Sequence, residues 1–468
     1  MASPLDAAPG EFEDQVHKAL RCWHDHRSGE GLLDGLLLTH LAAADHPAAP
    51  RQTTNRVLKH GLARLAACNP QAAKLLRLRF YRCLRVSEAT RHLHYAQSTL
   101  YHKQSEAINQ LAAVLHRLEA KARQDRVLCL DGRLDTPCVP LAGVDGHVAK
   151  LAEWLSAAGE PWLVSLEGPG GIGKTALAAA VVRRLAQTTA AYSGFGWVSA
   201  GTAALDLGGN LHAHADAPTT SAAVIAALAR QLLPAAVSDA ADCPDAALHC
   251  YLHEHPHLIV LDGLEAVADG AALLRTLHSL ANPSKFLLTS RRRLLAEPGV
   301  RLYSVPELSA ADSLDLLRQA AQAQGLAPLL DGGDGELLPV YAAVGGNPLA
   351  LLLVVGQTHT RPLHTVLADL PNARTLPAAL LFDYLFGRAV AELDANERCV
   401  LNGMLAAEGR CLDADEICSA CGLSLAEAAA ALQGLYQAGL ISAAGDLHHC
   451  RCSLPTLART CLRGRGLE

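Results

Sequence analysis

Apolar and polar residues follow two different spacings along this chain. From Asn55 to Ala122 the apolar residues recur at helical spacing, and the Asn69-Pro70 pair breaks that pattern. Further along, short apolar runs of strand length are separated by helical stretches. The predicted strands are Trp162–Leu166, Phe195–Ser199, His257–Leu261, Lys285–Thr289 and Arg301–Val305. Because strands that alternate with helices form parallel sheets, this pattern predicts an α/β domain.

The chain after these strands shows helical spacing again. Ser309–Arg388 is predicted to be helical, and Glu392–Leu462 is predicted to form three short helices, a turn containing Gly445 and a last helix. The sequence has no internal repeat of about 20–50 residues, which excludes solenoid and propeller folds. The α/β part is therefore predicted to lie between two largely helical regions.

Composition narrows the class of protein. The chain has 468 residues, half of them hydrophobic, which is enough for three or four packed domains. No window approaches the ~18–20 continuous apolar residues of a membrane span. The segment Met1–Asp14 carries acids but no base, unlike a secretory or organellar signal. We therefore expect a cytoplasmic protein with no membrane partner, whose 14 scattered cysteines are free thiols.

One glycine-rich segment carries a phosphate-binding motif. Gly168-Pro-Gly-Gly-Ile-Gly-Lys174-Thr175 matches G-x-x-x-x-G-K-[ST] and lies between a predicted strand and a predicted helix. Glycines let backbone N–H groups surround phosphate oxygens, and the helix N-terminus adds positive charge. Lys174 is expected to contact the β- and γ-phosphates, and the Thr175 hydroxyl to ligate Mg²⁺. The residues predicted to bind ATP or ADP here are Gly168, Gly170, Gly171, Ile172, Gly173, Lys174, Thr175 and Ala176.

Two later strands end in residues that suit the same chemistry. One is followed by Asp262, which is predicted to hold Mg²⁺ through water, the alternative being a turn residue. Glu265 is the candidate for orienting an attacking water, although a structural role fits the sequence equally. Another strand leads into Arg291, the candidate sensor of the γ-phosphate. Because Arg292 and Arg293 follow, a solvated basic cluster would give the same sequence.

Together these motifs resemble the NB-ARC branch of the STAND class of signal-transduction ATPases. The resemblance extends from about Pro140 to Cys461. Its motifs in chain order are Leu141-Ala-Gly143, the loop ending at Thr175, Gly196-Trp197-Val198-Ser199, Leu287-Leu-Thr-Ser-Arg291 and Gly345-Gly346-Asn347-Pro348-Leu349-Ala350-Leu351. The resemblance implies that Pro348 packs against adenine and that ATP is hydrolysed slowly, as a timer.

The sequence departs from this family at several places. Val144 stands where the family has an arginine, and Asp262-Gly-Leu-Glu265 stands where an Asp-Asp pair is common. A winged helix follows in the family, and Asp394–Leu462 resembles one. In it, Leu454-Pro455-Thr456 replaces a Met-His-Asp triplet. The histidine that contacts the ADP β-phosphate in the family is therefore missing here.

Positive charge is concentrated in one N-terminal block. Between Arg51 and Arg126 there are 15 Lys and Arg residues against four acids, a net charge of +11, so the rest of this chain of net charge −6 carries −17. Such a block is typical of contact with nucleic acid, and the alternative is a helical face that meets an acidic protein. Within it, Val86–Leu93, the turn at His94-Tyr95 and Ala96–Leu118 resemble a helix-turn-helix of the sigma-factor region-four type.

In such a unit the second helix reaches base edges while flanking basic residues hold phosphates. The predicted base-facing residues are Ser98, Thr99, Tyr101, His102 and Lys103. The predicted phosphate contacts are Arg77, Arg79, Arg82, Arg85 and Arg91. The predicted segments are a helical N-terminal segment (1–50), a helix-turn-helix domain (51–127), a linker (128–139), a P-loop domain (140–306), a small helical domain (307–390) and a winged helix (391–468).

Two functions are compatible with this organisation. The first is a nucleotide-controlled switch that acts on DNA through the N-terminal block. The second is a nucleotide-dependent assembly scaffold, a homo-oligomer that recruits a protein partner through that block, as in defence or cell-death signalling. Relatives usually continue into sensor repeats, which the sequence does not show after Leu462. We therefore expect either a separate sensor protein as a partner or a reduced member of the class. A metabolic ATPase is less favoured because no substrate domain is left over.

Cysteines and histidines near the C-terminus have the residue types of a zinc site. They are Cys418, Cys421, His448, His449, Cys450 and Cys452. Their spacing suits a zinc knuckle poorly, so structural thiols are the preferred interpretation.

Overall fold

The structure is a computed structural model of the 468-residue chain. It describes residues 10–25, 32–45, 49–134, 141–201, 203–205, 211–213, 217–234, 244–294, 297–326, 333–369, 383–407, 409–445 and 450–462. The chain divides into two compact units. Unit 1 consists of Met1–Arg133, Val182–Phe195 and His255–His257, and unit 2 consists of Leu134–Val181, Gly196–Glu254 and Leu258–Glu468.

The N-terminal part of unit 1 is helical, as its apolar spacing predicts. Its described helices are α1 (Glu11–Arg21), α2 (Leu37–Asp45), α3 (Pro50–Cys68), α4 (Pro70–Leu76), α5 (Val86–Leu93) and α6 (Gln97–Asp131). The predicted break at Asn69-Pro70 separates α3 from α4. The Asn69 side chain accepts a hydrogen bond from the Ala72 N–H at 3.1 Å, and Pro70 takes the first helical position, where an N–H has no partner in any case. Leucines such as Leu58, Leu76 and Leu111 form the core between these helices.

Helices α5 and α6 begin close to where the helix-turn-helix pattern predicts. His94 ends α5 in the left-handed conformation, with φ of 55°, and α6 begins at Gln97. Helix α6 continues past Leu118 to Asp131, so the first four residues of the segment predicted as a linker are helical, while 135–140 lie outside the described residues. The 35 residues of α6 correspond to about 52 Å. Whether this pair of helices binds DNA stays a prediction.

The α/β region contains a parallel sheet. The strands of this region are β1 (Leu163–Glu167), β2 (Gly194–Ser199), β3 (Ala203–Leu205), β4 (Leu211–Ala213), β5 (His257–Asp262), β6 (Lys285–Ser290) and β7 (Val300–Ser304). The sheet order is β2-β5-β6-β1-β7, and β3 pairs with β4 in a separate hairpin that the pattern does not predict. Strand β1 pairs in parallel with β6 and β7, so Val164 lies opposite Leu287 on one side and Arg301 on the other. The predicted α/β class is confirmed.

Helices flank this sheet and bury its faces. They are α7 (Asp145–Ser156), α8 (Lys174–Thr188), α9 (Ser221–Leu232), α10 (Pro244–Glu254) and α11 (Gly270–Leu280). Leu228 of α9, Leu248 of α10 and Leu274 of α11 pack in one core with Ile259 and Phe286 of the sheet. Because the strands are covered in this way, they are near-continuous apolar runs rather than alternating ones.

The remainder of unit 2 is mainly helical and shares one apolar core. Its helices are α12 (Ala310–Ala323), α13 (Asp334–Val344), α14 (Pro348–Gln357), α15 (Leu363–Asp369), α16 (Arg388–Ala391), α17 (Ala395–Ala406), α18 (Ala414–Cys421), α19 (Leu425–Gln437) and α20 (Thr456–Leu462), with a π-helical turn at Asp383–Gly387. An antiparallel hairpin of β8 (Ser442–Gly445) and β9 (Cys450–Ser453) lies between α19 and α20. The predicted three helices and last helix are therefore present, but Gly445, predicted to lie in a turn, ends strand β8, and 446–449 lie outside the described residues. The winged-helix assignment stays a prediction.

Within the described ranges, no single helix is both long and apolar enough to cross a membrane. Taken together, α18 and α19 meet the length and composition requirement, but they are bent by 107° where they meet.

Candidate functional site

The glycine-rich loop lies between a strand and a helix, as its motif predicts. Strand β1 ends at Glu167 and helix α8 begins at Lys174. Gly171 has a φ of 74°, and a Cβ at this position would lie 2.8 Å from both Asn347 Oδ1 and Leu349 Cβ. Both the left-handed backbone and this close approach exclude a side chain here. The loop is therefore shaped by residues at the start of α14 as well as by its own sequence.

Hydrogen bonds join the loop to the start of α14. Asn347 Nδ2 donates to the Gly170 carbonyl at 2.9 Å, and the Leu349 N–H donates to the Gly171 carbonyl at 3.2 Å. Asn347 also caps α14, because its Oδ1 accepts from the Ala350 N–H at 3.2 Å. Asn347 was not predicted as a site residue, although Asn before Pro at a helix start is a recognisable capping signal.

The other apolar residues predicted to bind nucleotide lie around the same loop. The Pro348 Cγ is 3.9 Å from the position of a Cβ on Gly173. Ile172 is buried within the loop, and Ala176 is half-buried in the first turn of α8. The structure thus brings Pro348, which is distant in sequence, next to the glycines of the motif.

Lys174 is buried against the loop that precedes it. Its side chain is 8% exposed, and Nζ donates to the carbonyls of Gly168 at 2.7 Å and Pro169 at 2.8 Å. Burial lowers the pKa of Lys174 to about 8, and the nearby carboxylate of Glu265 only partly opposes this shift. A buried ammonium group whose hydrogen-bond acceptors are neutral carbonyls suits the anionic oxygens of a phosphate.

This pKa predicts how nucleotide binding depends on pH. Because the pKa of Lys174 is lowered to about 8, the nucleotide-free protein loses this positive charge as the pH rises above that value. Binding a phosphate requires the charged form, so affinity is expected to fall about tenfold between pH 7 and pH 9. Titration with a fluorescent ADP analogue across this range measures the effect. Constant affinity would contradict a direct role for the Lys174 charge.

Two residues predicted to hold Mg²⁺ lie in contact. Thr175 Oγ1 donates to Asp262 Oδ1 at 2.7 Å, and Thr289 Oγ1 donates to the same oxygen at 2.6 Å. The Gly263 N–H completes the network by donating to Thr289 Oγ1 at 2.8 Å. Burial raises the pKa of Asp262, and the two threonine hydrogen bonds oppose that shift. A hydroxyl and a carboxylate oxygen at this distance fit the oxygen ligands that Mg²⁺ prefers.

Arg291 and Glu265 are paired with each other. Arg291 Nε lies 3.1 Å from Glu265 Oε1, and the backbone N–H of Arg291 donates to Glu265 Oε2 at 3.1 Å. The guanidinium also donates through Nη1 to the Tyr384 carbonyl at 2.5 Å and lies 4.6 Å from the centre of the Tyr384 ring. A Cβ on Gly170 would be 3.4 Å from Nη1. Arg291 therefore lies against the loop and binds both Glu265 and the π-helical turn.

The three consecutive arginines after β6 differ in their surroundings. Arg292 is exposed and lies 3.7 Å from a carboxylate oxygen of Glu392. The guanidinium of Arg293 lies 3.6 Å from the centre of the Tyr436 ring, and its N–H donates to the Gln437 carbonyl at 3.0 Å. A solvated basic cluster therefore describes Arg292 but not its two neighbours.

The surface predicted to contact DNA is largely exposed. Leu100 is fully buried, and around it the exposed residues on the first turns of α6 are Ser98, Thr99, Tyr101, His102 and Lys103. The exposed arginines are Arg77, Arg82, Arg85 and Arg91. Arg79 differs, because it is half-buried and donates to Gln104 Oε1 at 3.0 Å and to the Leu84 carbonyl. Arg79 is therefore engaged within the protein rather than free to hold a phosphate.

The zinc interpretation gains no support from the part of the chain that is described. There, no three His, Cys, Asp or Glu side chains are grouped as metal ligands. Cys418 and Cys421 are half-buried in α18, and Cys452 is buried in the hairpin. His448 and His449 lie outside the described residues.

Comparisons with solved structures find proteins of low sequence identity and low TM-score. A STAND protein with a tetratricopeptide repeat sensor from Pyrococcus horikoshii is 16% identical over 71% of this chain and 44% of that chain, with a TM-score of 0.33. Cdc6p from Pyrobaculum aerophilum is 14% identical over 71% of this chain and 95% of that chain, with a TM-score of 0.35. RuvB from Thermotoga maritima is 14% identical over 67% of this chain and 92% of that chain, with a TM-score of 0.31. The chain thus spans less than half the length of the first of these proteins.

Sequence comparison gives a more direct result. Curated protein sequences contain no match to the chain. The family model of the NB-ARC domain, in contrast, matches residues 144–326. This range contains the glycine-rich loop, Asp262, Glu265 and Arg291, whose geometry is described above. The prediction of an NB-ARC-type nucleotide-binding P-loop domain is confirmed for residues 144–326.

Proposed function

We propose that this protein is a switch that binds ATP or ADP together with Mg²⁺ and couples the identity of the nucleotide to DNA binding by its N-terminal unit. The observation that carries the proposal is the position of Arg291. This residue lies against the phosphate-binding loop while its side chain holds Glu265 and the Tyr384 carbonyl. A single cation thus links the loop to the helical segment that follows the sheet.

Different residues of the site would bind the phosphates, the Mg²⁺ ion and the adenine. Lys174 and the backbone N–H groups of the loop would hold the phosphates. Thr175 and Asp262 would hold Mg²⁺, which when bound supplies positive charge that stabilises the phosphate oxygens. Pro348 begins α14 near Gly173, and the NB-ARC resemblance implies that it would lie beside the adenine.

Arg291 gives the site a means of distinguishing ATP from ADP. A ligand shifts a conformational equilibrium only through different affinities for the two states. A γ-phosphate offers Arg291 a stronger acceptor than the neutral Tyr384 carbonyl, since ionised acceptors make stronger hydrogen bonds. ATP is therefore expected to weaken the contact between Arg291 and the π-helical turn, and ADP to preserve it.

We expect hydrolysis to be slow in this arrangement. Glu265 is the candidate for orienting a water molecule, but both of its carboxylate oxygens are engaged by Arg291. These two bonds use part of the acceptor capacity of the carboxylate and so compete with its orienting of a water molecule. Slow turnover gives each nucleotide state the lifetime that a switch requires.

The DNA-binding part of the proposal is supported by the exposure of basic residues in the predicted helix-turn-helix segment. Arg77, Arg82, Arg85 and Arg91 precede α6 in sequence, and all four are exposed, as are the predicted base-facing residues at the start of α6. We expect the full chain to bind a mixed-sequence DNA duplex, with affinities that differ about fivefold or more between Mg²⁺–ADP and Mg²⁺–AMP-PNP. Fluorescence anisotropy of the labelled duplex at low salt measures both affinities.

The outcomes separate the two candidate functions. Equal affinities in both nucleotide states would exclude coupling, and absence of binding at about 50 mM salt would exclude DNA as the partner. If DNA binding is absent, light scattering tests the scaffold function. A particle mass that grows with AMP-PNP but not with ADP would then favour assembly.

A further inference from the structure

A group of three arginines, one buried and two half-buried, lies near the C-terminal end of α6. Arg123, Arg126 and Arg133, here called the arginine cluster, donate hydrogen bonds to backbone carbonyls of the chain that leaves α8. Their acceptors are the carbonyl oxygens of Gln187, Thr189, Tyr192 and Phe195. The Arg126 bond to Thr189 is 3.0 Å long. All these residues belong to unit 1.

The arginine cluster caps the C-terminal end of α8. This helix ends at Thr188, so the Gln187 carbonyl has no partner within the helix and accepts from Arg123 instead. Positive charge at this end is also favourable because it opposes the negative end of the helix dipole. An ion pair between Arg183 Nε and Asp131 Oδ1, 2.6 Å apart, adds a direct link between α8 and α6.

Burial of the charged groups in the cluster carries a desolvation cost. Arg123 is 5% exposed and pairs at 2.8 Å with Glu119, which is fully buried. Among the described residues, Arg126 contacts carbonyls and the Phe195 ring at 4.5 Å, and Arg123 Nη2 and Arg126 Nε have no hydrogen-bond partner. Burial lowers the pKa of Arg126 to about 10, and the neighbouring Arg123 acts in the same direction. Apolar side chains would often stabilise the contact between α6 and the end of α8 as much as these arginines do, or more.

The two helices joined by the cluster each carry a candidate functional element at their other end. Helix α8 begins with Lys174 of the phosphate-binding loop and rises about 22 Å over its 15 residues. Helix α6 carries Ser98–Lys103, the predicted DNA-facing residues, in its first two turns. Packed helices that shift by 1–2 Å are a common means of transmitting a change between sites.

We infer that helix α6 transmits the nucleotide state: the arginine cluster holds the C-terminal end of α8, so that a shift of α8 on exchange of ADP for ATP is passed along α6 to the residues at its N-terminal end. This inference rests on the proposed nucleotide switch. It adds a route for the coupling and names Arg126, which has the most carbonyl contacts in the cluster, as a positioning residue.

Hydrogen exchange of the full chain with Mg²⁺–ADP and with Mg²⁺–AMP-PNP tests this route. In the wild type, peptides covering residues 168–176 and residues 115–131 are both expected to change their exchange rates between the two nucleotides, by about fivefold or more. In Arg126→Ala, residues 168–176 should respond as before, whereas the response of residues 115–131 should disappear. Arg133→Ala, which removes a single carbonyl contact, serves as a milder second variant if Arg126→Ala does not fold.

Arg117→Ala is the matched control, because Arg117 is exposed on the same helix and donates to the carbonyl of Ala113 in its own turn. It should leave both responses unchanged. A wild type in which residues 168–176 respond but residues 115–131 do not would overturn the route while leaving the switch intact. A wild type in which neither region responds would overturn the proposed switch and the route together.

Discussion

Replacing Lys174 with alanine is expected to abolish nucleotide binding at micromolar concentrations. The ammonium group is buried, and its hydrogen-bond acceptors are carbonyls of the loop itself. With nucleotide bound, Lys174 and a phosphate would form a buried charge pair, and removing one member of such a pair costs about 3–5 kcal/mol. The affinity for ADP or ATP should therefore fall by at least ~100-fold. Titration with a fluorescent ADP analogue measures the loss, and the nucleotide released on denaturing the purified protein provides an independent check.

Lys150→Ala is the matched control for this variant. Lys150 lies in the same domain but is exposed and lies 5.5 Å from the centre of the Trp154 ring. The control should bind nucleotide like the wild type and should melt at the same temperature. Retention of affinity within threefold (about 0.7 kcal/mol) by Lys174→Ala would contradict the assignment of the loop as the phosphate site.

Removing the four exposed arginines of the N-terminal unit is expected to weaken DNA binding about 100-fold at low salt. The combined variant replaces Arg77, Arg82, Arg85 and Arg91 with alanine, and all four side chains are exposed. If each neutralises one phosphate, the wild type should lose roughly 100-fold in affinity between about 50 mM and 200 mM salt, and the variant should lose most of this salt dependence. Anisotropy titrations over a series of salt concentrations measure both quantities.

The weaker DNA binding of the variant with four arginine substitutions should not be a consequence of unfolding. Exposed arginines contribute little to stability, so the thermal melting curve is expected to match that of the wild type. Arg64→Ala combined with Lys121→Ala removes two exposed charges outside the predicted contact surface and should have a much smaller effect. If this control weakens DNA binding as much as the variant with four arginine substitutions does, the DNA contact surface is not the one predicted.

The loop and the sheet could be predicted because local sequence determines them. The loop is a contiguous motif, and strands such as β1 and β6 are buried along their whole length, so each contains a short apolar run without strict alternation. Helix α6 was predicted to end at Leu118, which is too early. No glycine or proline stops the helix between Leu118 and Asp131, so it continues to Asp131. Strands β3 and β4, with three residues each, are too short to show any periodicity.

The contacts that complete the site could not be predicted, because they join residues distant in sequence. Arg291 and Tyr384 are 93 positions apart, and Asn347 and Gly170 are 177 positions apart. Arg79 illustrates the same limit, since its sequence surroundings resemble those of Arg77 and Arg82. Only the fold shows that Gln104, 25 positions further on, binds its guanidinium. Spacing identifies which residue types are available, but not which of them pair.

The hydrogen bonds from the start of α14 to the glycine-rich loop have a consequence for biosynthesis. A ribosome releases the loop long before Asn347 and Leu349, which bind the Gly170 and Gly171 carbonyls. Since domains fold in the order in which they are synthesised, the sheet can assemble around a loop that still lacks these two contacts. A nascent chain is therefore expected to capture nucleotide firmly only after translation has passed residue 349, so that premature engagement of ATP by an incomplete chain is avoided.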